Sequence, residues 1–403
     1  LKVRGSYGEV GNDQIGGDRF LYLPSSYGAA SDSGVNKYNF GLASNPYTSL
    51  MIVENKIGNP DLTWEKAKKM NVGVDINLFN NCLTASFDIF KEKRNNILAN
   101  RSTSPMIIGA NLPAYNFGEM ENRGWEMDLN FRHHIQDFHY WARFNYSFAR
   151  NEIIYMDEVQ KRYDYQMTTG RRKNQFFGLI FDGYYNSWEE INALDRPKSS
   201  WSGNQLQPGD VKYIDVNQDG VIDDYDMVPI GYTPVPEIIY GFSFGAQYKG
   251  FDFSILFQGA DNVSIKYFGR SMWPFAKGEE SAKSLIKERW TQERYEAGEK
   301  ITFPRLSLNP NGETDHNYRP STLWIRDASY LRLKNLEVGY TFTGGFVKRL
   351  NLNSVRLYFN GSNLFTWTDV VDLDPEAPSR SGNVEINTYP LQKVYNIGLN
   401  INF

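Results

Sequence analysis

Hydrophobic and polar residues alternate with a period of two along most of this sequence. Residues 64–79 show the pattern clearly, because Met70, Val72 and Val74 are separated by small or polar residues. Successive side chains of a strand point to opposite faces, so this alternation is typical of strands with one face in an apolar environment. The segments with this pattern or a strand-like composition are 1–10, 64–79, 83–89, 125–132, 140–148, 240–248, 251–257, 322–342, 353–367 and 388–403.

The last ten residues carry the same alternation to the end of the sequence. The apolar positions are Tyr395, Ile397, Leu399, Ile401 and Phe403. In a strand of a membrane barrel, alternate positions contact lipid and lumen. The pattern therefore predicts that Ile397, Leu399 and Ile401 face lipid, and that Asn396, Asn400 and Asn402 face the lumen or the periplasm.

The predicted connections between strands fall into two classes. Short turns are predicted at 80–82, 135–137, 249–250 and 343–352, and long connections at 11–62, 97–122, 153–235, 266–321 and 368–387. Short turns at one end and long loops at the other are typical of outer-membrane barrels, whose turns are periplasmic and whose loops are extracellular. Counting through this alternation gives about ten spanning strands. The strand-like segment 176–185 would break the alternation, so we place it inside the long loop 153–235.

The composition of the 403 residues agrees with a membrane barrel. Aromatic residues make up 15%, with 26 Tyr and 26 Phe, and the net charge is only -4. There is no run of about 18 apolar residues that would indicate a transmembrane helix. Mean hydropathy is -0.53, but the lumen-facing half of a barrel makes such sequences hydrophilic on average. The charge gives no indication of a nucleic-acid surface.

An open sheet of about ten strands is not a complete barrel. Backbone groups at a free strand edge in lipid cost several kcal/mol each, so a sheet in a membrane has to close. We therefore expect residues 1–403 to be the C-terminal part of a larger barrel. Residues 1–10 should pair with residues 64–79 on one side and have no partner within the chain on the other.

Several stretches together resemble the C-terminal half of SusC/RagA-type TonB-dependent outer-membrane transporters. They are "NPDLTWEKAKKMNVGVDINLF", "NFGEMENRGWEMDLNF", "GDVKYIDVNQDGVIDDYDMVPIG", "PEIIYGFSFGAQYKGFDFSILFQG", "IRDASYLRLKNLEVGYTF", "RLYFNGSNLFTW" and "VYNIGLNINF", in the family's order. The resemblance implies a 22-stranded barrel in the outer membrane of a Gram-negative bacterium, with a periplasmic C-terminus. It also implies a signal peptide, a TonB box and a plug domain, none of which lies within residues 1–403.

The resemblance further implies a transport function and partners. Members of this family import oligosaccharides or peptides, with energy supplied through TonB, and work with a SusD-like surface lipoprotein that covers the barrel. The chain would therefore not be an enzyme. This agrees with the sequence, which contains no recognisable nucleophile elbow, zinc-protease spacing or phosphate loop, and only one cysteine, Cys82.

The stretch "DVNQDGVIDDYD" at 215–226 predicts a calcium site. Asp215, Asn217, Asp219, the Val221 carbonyl and Asp226 occupy positions 1, 3, 5, 7 and 12 of the pattern of an EF-hand loop, with Gly220 at the sharp turn of position 6. Oxygen ligands at these positions wrap a calcium ion. The alternative is an acidic turn that binds no ion, because Asp, Asn and Gly favour turns in any case. Position 12 carries Asp instead of Glu, and this shorter side chain disfavours bidentate binding. We expect a structural ion that stabilises a long extracellular loop.

Other candidate residues lie in the predicted loops and on the polar face. Trp188, Trp201 and Trp273 are candidates for substrate contact, with loop packing as the alternative for each. Helical spacing of Ala282, Leu285, Ile286 and Trp290 predicts a helix within 279–298 that packs on the rim or contacts the lid. Asp75, Asp88, Glu126, Asp128, Arg132 and Arg143 are expected to face the lumen, lining the pathway or pairing across strands.

Two other kinds of protein remain as alternatives at this stage. A soluble or secreted β-rich module that binds glycans, as a sandwich or a propeller, would share the strand pattern. A secreted hydrolase is disfavoured, because no pair of acids occurs in a recognisable catalytic setting. The continuous apolar face on the strands and the terminal Phe403 favour the barrel.

Overall fold

The structure of the protein is a computed structural model. It describes residues 1–13, 21–23, 28–29, 37–42, 47–50, 52–53, 57–104, 112–201, 205–267, 272–275, 284–307, 315–376, 383–384 and 390–403.

Strands dominate the described part of the chain. They are β1 (Lys2–Asn12), β2 (Gly28–Ala29), β3 (Lys37–Phe40), β4 (Tyr47–Leu50), β5 (Ile52–Val53), β6 (Glu65–Leu78), β7 (Leu83–Ala99), β8 (Tyr115–Ile135), β9 (Phe138–Tyr155), β10 (Phe177–Gly178), β11 (Phe181–Tyr184), β12 (Lys198–Ser199), β13 (Val211–Tyr213), β14 (Val221–Ile222), β15 (Val228–Pro229), β16 (Ile238–Tyr248), β17 (Phe251–Asp261), β18 (Ser264–Tyr267), β19 (Ile325–Asp327), β20 (Tyr330–Phe342), β21 (Ser354–Thr368), β22 (Asn383–Val384) and β23 (Val394–Asn402).

In the described ranges, helices are few and short. The α-helices are α1 (Trp188–Asn192), α2 (Gln292–Glu296) and α3 (Gly345–Arg349), and the 3-10 turns are Asp164–Gln166, Asp224–Asp226, Ser284–Glu288 and His316–Tyr318. Among the described residues, none of the helices is both long and apolar enough to cross a membrane.

One antiparallel sheet of ten strands forms the body of the protein. Its order follows the sequence: β1-β6-β7-β8-β9-β16-β17-β20-β21-β23. All nine pairings are antiparallel. The predicted number of spanning strands is therefore confirmed, as is the predicted partner of the first strand, since Val3 pairs with Val74. Within the described residues, β1 has no neighbour on its other edge.

The connections divide between the two ends of the sheet as predicted. Residues 79–82, 136–137, 249–250 and 343–353 form the short connections, and 13–64, 100–114, 156–237, 262–329 and 369–393 form the long ones. The shortest turns use left-handed backbone, with φ of 44° at Lys249 and 91° at Gly250. Positive φ at both central residues is the geometry of a type I′ hairpin, which matches the twist of the flanking strands. The turn therefore fixes the register of β16 against β17.

Two predictions about the long connections have different outcomes. Residues 176–185 form β10 and β11, which pair with β15 and β13 outside the ten-stranded sheet, as predicted. The prediction of a helix within 279–298 is wrong in extent. Its described part contains a 3-10 turn at 284–288 and the five-residue α2, separated at Arg289, which bridges to Phe303. Ala282 lies outside the described residues. Trp290 is buried with the side chains of the neighbouring loops, and this packing replaces regular helix.

The two faces of the sheet differ in chemistry. One face carries apolar side chains with large exposed fractions, such as Met70 at 51%, Phe251 at 60% and Ile397 at 81%. The other carries ion pairs between adjacent strands. An exposed apolar face of this extent is the lipid-facing surface of a barrel, and it distinguishes the fold from the soluble β-rich alternative.

Candidate functional site

The long connections share one hydrophobic core at their end of the sheet, which we call the loop core. It joins residues of 156–237, such as Leu179 and Val211, with residues of 262–329, such as Tyr318 and Trp324. Trp324 is 2% exposed, its ring centroid lies 5.3 Å from that of Tyr318, and its indole N–H donates to the Asn317 carbonyl at 2.8 Å. The connections are therefore packed together instead of extending separately from the strands.

A buried polar network fixes the edge of the loop core. Asp210, 3% exposed, accepts from Asn317 Nδ2 at 2.8 Å and forms an ion pair with Arg305 at 2.5 Å. His316 Nε2 lies 2.8 Å from the Val211 carbonyl, which only accepts, so Nε2 carries the proton and Nδ1 accepts from Ser199 Oγ at 2.9 Å. Burial lowers the pKa of His316, so this imidazole is neutral near pH 7. Every member of the network belongs to a long connection.

Trp188 is the best-placed of the three candidate tryptophans. It begins α1, which Ser187 caps by accepting from the Glu190 N–H, and its side chain is 55% exposed. Below it, Ile191 packs with Tyr185 and Leu206 in a small separate core. Trp188 lines a cavity of about 480 Å³ with polar side chains that include Arg196, Ser199, Gln205 and Gln207. An exposed aromatic face beside amide and guanidinium groups fits a sugar ring or a peptide.

Trp201 and Trp273 pack against residues of the neighbouring loops. Arg319 places its guanidinium 4.0 Å from the centre of the Trp201 ring, which packs against the loop core. Trp273 is 4% exposed and lies 5.2 Å from Tyr318 between ring centroids. Neither ring presents an open face comparable to that of Trp188, so we retain Trp188 alone as a candidate for substrate contact.

The acidic loop, residues 215–226, adopts the turn that its sequence predicts. Gly220 has a φ of 82°, and its N–H donates to Asp215 Oδ2 at 2.8 Å. The Asp219 carboxylate accepts from the Val221 N–H at 2.9 Å. The Gly220 and Ile222 carbonyls accept hydrogen bonds from the N–H groups of Lys198 and Ser200. The Val221 carbonyl, which lies between them in the strand, therefore points away from residues 198–200. A sharp turn with side-chain oxygens bent inward is the framework of a calcium loop.

Asp226 is the residue that departs from this framework. Its side chain is 0% exposed, and its two oxygens accept from the N–H groups of Val216 at 2.8 Å and Asp223 at 2.9 Å. Burial raises the pKa of Asp226, and the backbone hydrogen bonds oppose this effect. The shorter arm of Asp thus caps the backbone at position 12. Asp215 Oδ1 is buried and has no hydrogen-bond partner among the described residues. Within the described ranges, no three Asp, Glu, His or Cys side chains form a group that could hold a metal ion.

The polar face of the sheet carries networks centred on arginines. Arg4 contacts Asp75 at 2.9 Å and Asp88 at 2.7 Å, so it joins β1, β6 and β7. Arg356 similarly joins Asp252 and Glu337. A cavity of about 320 Å³ lies beside the first network, and its lining includes Asp88, Glu126 and Asp128. Of the acids expected at the lumen, Asp75 and Asp88 therefore pair across strands.

The remaining predicted polar-face residues have fewer partners. Glu126 accepts from Ser147 Oγ at 3.4 Å, and Asp128 accepts from Asn130. Arg143 lies 5.4 Å from the Trp141 ring, and Arg132 pairs through its backbone with Trp141 on β9.

Sequence reasoning missed a buried contact between β20 and the last long connection. Arg332 is 2% exposed and binds Asp374 at 2.7 Å and Glu376 at 2.6 Å. Lys334 adds a contact to Glu376 at 3.2 Å. The only sequence signal is the acidic "DLDPE", which lies about 40 positions beyond the arginine and gives no indication of a partner. These contacts hold residues 374–376 against the polar face of the sheet.

Comparison with known proteins places this architecture in a family. A family profile described as "TonB dependent receptor-like, beta-barrel" matches residues 1–364. The chain belongs to the TonB-dependent receptor-like β-barrel family. The family is one of outer-membrane transporters, so the resemblance stated from the sequence and the all-β barrel fold are both confirmed.

Individual relatives agree with this family membership. TonB-dependent receptor P3 of Formosa agariphila is 28% identical over 100% of this chain and 39% of its own length. TonB-dependent receptor SusC of Bacteroides thetaiotaomicron is 26% identical over 100% of this chain and 37% of its own length. The solved structure titled "Structure of the RagAB peptide transporter" superposes with a TM-score of 0.70 at 24% identity, covering 100% of this chain and 40% of that one. The chain thus spans about two fifths of the length of these relatives.

Proposed function

We propose that this barrel takes part in active import of oligosaccharides or peptides across the outer membrane, with energy from TonB and with a SusD-like lipoprotein as partner. The cavity beside Trp188 carries the proposal, because it combines an exposed aromatic face with hydrogen-bonding side chains at the long-loop end of the sheet. In this proposal the long connections are extracellular, the short turns and the C-terminus are periplasmic, and the TonB and plug functions belong to parts of the protein outside residues 1–403.

Uptake by cells that produce the full-length protein tests the proposed function. Labelled oligosaccharides and peptides of similar mass should be offered with and without the proton-motive force. We expect accumulation of one class, dependent on both the force and the lipoprotein. Equal accumulation in cells lacking the transporter would contradict the proposal. Co-purification of the lipoprotein with the barrel, without any uptake, would support the partner but not the import.

Replacement of Trp188 with alanine tests the cavity itself. Loss of one stacked aromatic face costs about 1.5 kcal/mol or less beyond area burial, so the affinity for the imported substrate should fall about tenfold. Titration calorimetry of the purified transporter measures this change. Leu194→Ala is the matched control, because Leu194 is fully exposed near α1 and lies outside the residues of the cavity. An equal loss in both variants would contradict a specific role of the indole.

We also propose that the acidic loop binds calcium through Asp215, Asn217, Asp219 and the Val221 carbonyl, with Asp226 as the residue that braces the turn. The support is the buried Asp215 Oδ1, which has no described partner, and the repulsion among carboxylates that a cation would relieve. Because no three acidic side chains of the described residues form a group that could hold a metal ion, binding would require the loop oxygens to move together. The ion would supply charge neutralisation and rigidity to the loop.

Asp219→Asn should remove most of the calcium response of the loop. In the wild-type protein, calcium should slow proteolysis within 215–226 severalfold relative to chelator, and in the variant this difference should disappear. Calcium calorimetry gives a second reading that does not depend on transport. Asp182→Asn removes the same charge at an exposed site of the same connection and should leave the response unchanged. Identical proteolysis of the wild type with calcium and with chelator would contradict the proposed ion.

A further inference from the structure

Three cations stand opposite one another on the apolar face of the sheet. Lys91 of β7 pairs with Arg123 of β8, and Arg123 pairs with Arg150 of β9. We call these residues the cationic row. Like charges directly opposite one another across strands are destabilising. Such an arrangement therefore indicates an anion that compensates the repulsion, either within the protein or from outside.

The row lies at the border of the lipid-facing surface. The next register position toward the short turns joins Ile89, Trp125 and Phe148, all apolar. On β9, the same face runs from Phe138 to Phe148, a length of ~33 Å at ~3.3 Å per residue. With a strand tilt of ~40° this is ~25 Å of height, which is the height of the apolar band in membrane barrels. Arg150 is the next side chain on this face, so the row begins where the band ends.

Acidic side chains neutralise the row only in part. Lys91 has a contact of 2.9 Å with Glu121, but Arg123 reaches Glu121 and Glu152 only at 3.9 and 3.8 Å. These two distances exceed hydrogen-bond length. The Arg123 side chain also remains 60% exposed. Arg123 is therefore the member of the row with charge and hydrogen-bonding capacity open to a ligand.

The connection that follows β9 adds further positive charge. Arg123, Arg150, Glu152, Arg171 and Arg172 line one cavity of about 310 Å³. Arg150 and Arg172 share Glu237, whose side chain is 4% exposed. The five cations of the row and the cavity exceed the three carboxylates Glu121, Glu152 and Glu237 by two charges. A doubly charged anion of the size of a phosphate group would balance this excess.

We propose that the cationic row and its cavity bind the phosphate of an anionic membrane lipid, whose acyl chains lie along the apolar band below. Guanidinium groups match phosphate geometry through paired N–H donors. The row is continuous with the lipid-facing surface, so one lipid molecule meets both the apolar strands and the arginines. This continuity favours a lipid phosphate over a free phosphate ion, which would gain nothing from the apolar band.

Native mass spectrometry of the full-length purified transporter tests the proposal. Phosphatidic acid and phosphatidylcholine with the same acyl chains are the probes. We expect retention of phosphatidic acid at a concentration where phosphatidylcholine is lost. Arg123→Gln should weaken retention about tenfold, as expected for the loss of a charge-assisted contact, and Lys91→Gln should weaken it less.

Arg132→Gln is the matched control, because Arg132 lies on the same strand but on the opposite face and nearer the short turns. It should leave retention unchanged. Equal retention of the two lipids, or an equal loss in both arginine variants, would overturn the proposal. Complete displacement of phosphatidic acid by millimolar inorganic phosphate would also overturn it in favour of a small-anion site. Heat-modifiable migration on a detergent gel establishes that each variant is folded.

Discussion

Replacement of Trp324 with alanine is expected to unfold the long-loop end of the protein while leaving the ten-stranded sheet in place. Truncation of a fully buried tryptophan costs ~3–5 kcal/mol. It would also leave the Asn317 carbonyl without the indole donor that it has at 2.8 Å. The loop core is a local unit whose opening does not require the strands to separate. The loss should therefore appear as local unfolding.

Hydrogen exchange of the full-length protein in detergent measures this effect. Amides of 176–184, 211–213 and 318–328 should exchange ~100-fold faster or more in Trp324→Ala, whereas amides of β7 and β8 should keep their protection. Trp188→Ala is the control, because the exposed indole of Trp188 lies outside the loop core. Faster exchange throughout the sheet would instead mean that loops and strands unfold together.

Replacement of Arg332 with methionine is expected to release the last long connection from the polar face. The change keeps much of the side-chain volume but leaves Asp374 and Glu376 without their buried partner. Breaking a buried pair by removing one member costs ~3–5 kcal/mol. We expect ~3 kcal/mol here, because Lys334 still contacts Glu376. A spin label or fluorophore near Asp374 should report a gain in mobility.

Acidification should act on the same contact in the wild-type protein. Burial alone would raise the pKa of Asp374. Hydrogen bonds from the Glu376 N–H, Arg332 and the Leu391 N–H, together with the positive charge of Arg332, outweigh burial and lower this pKa. A lowered folded-state pKa means that the stabilisation is present above the unfolded value of ~3.9 and is lost as the pH falls through the folded value. Mobility of the connection should therefore increase below about pH 4 in the wild type and be high at all pH values in Arg332→Met. Lys334→Met, which removes only the 3.2 Å contact to Glu376 and leaves Arg332 in place, should resemble the wild type.

The strands could be predicted from the sequence because each one carries its own evidence. In β6, small or polar residues alternate with Met70, Val72 and Val74. This pattern does not depend on the rest of the chain, because lipid on one side and lumen on the other impose a period of two. The alternation of short and long connections then gave the order of the strands and the pairing of residues 1–10 with residues 64–79, whereas the register, with Val3 opposite Val74, comes from the structure. The sheet could therefore be predicted from the sequence alone.

The loop contacts could not be predicted, because their evidence is divided between distant residues. Nothing near Arg332 indicates that Asp374 will neutralise it, and the helical spacing around Trp290 gave a helix where packing with Phe303 produces irregular backbone. Asp226 is a third example of a contact that the sequence alone does not determine. Its place at position 12 of the calcium pattern can be read from the sequence, but whether a short carboxylate reaches an ion or the backbone depends on the three-dimensional turn.

The shared loop core also restricts how such a transporter can diversify. Leu179 and Tyr318 belong to a core to which the connections 156–237, 262–329 and 369–393 all contribute, so none of the three can be exchanged alone between relatives without matching changes in the others. The surface around Trp188 rests instead on a small separate core of Tyr185, Ile191 and Leu206. Recombination between family members should therefore succeed when residues 156–237, 262–329 and 369–393 are transferred together. Single substitutions that alter ligand preference should accumulate around α1.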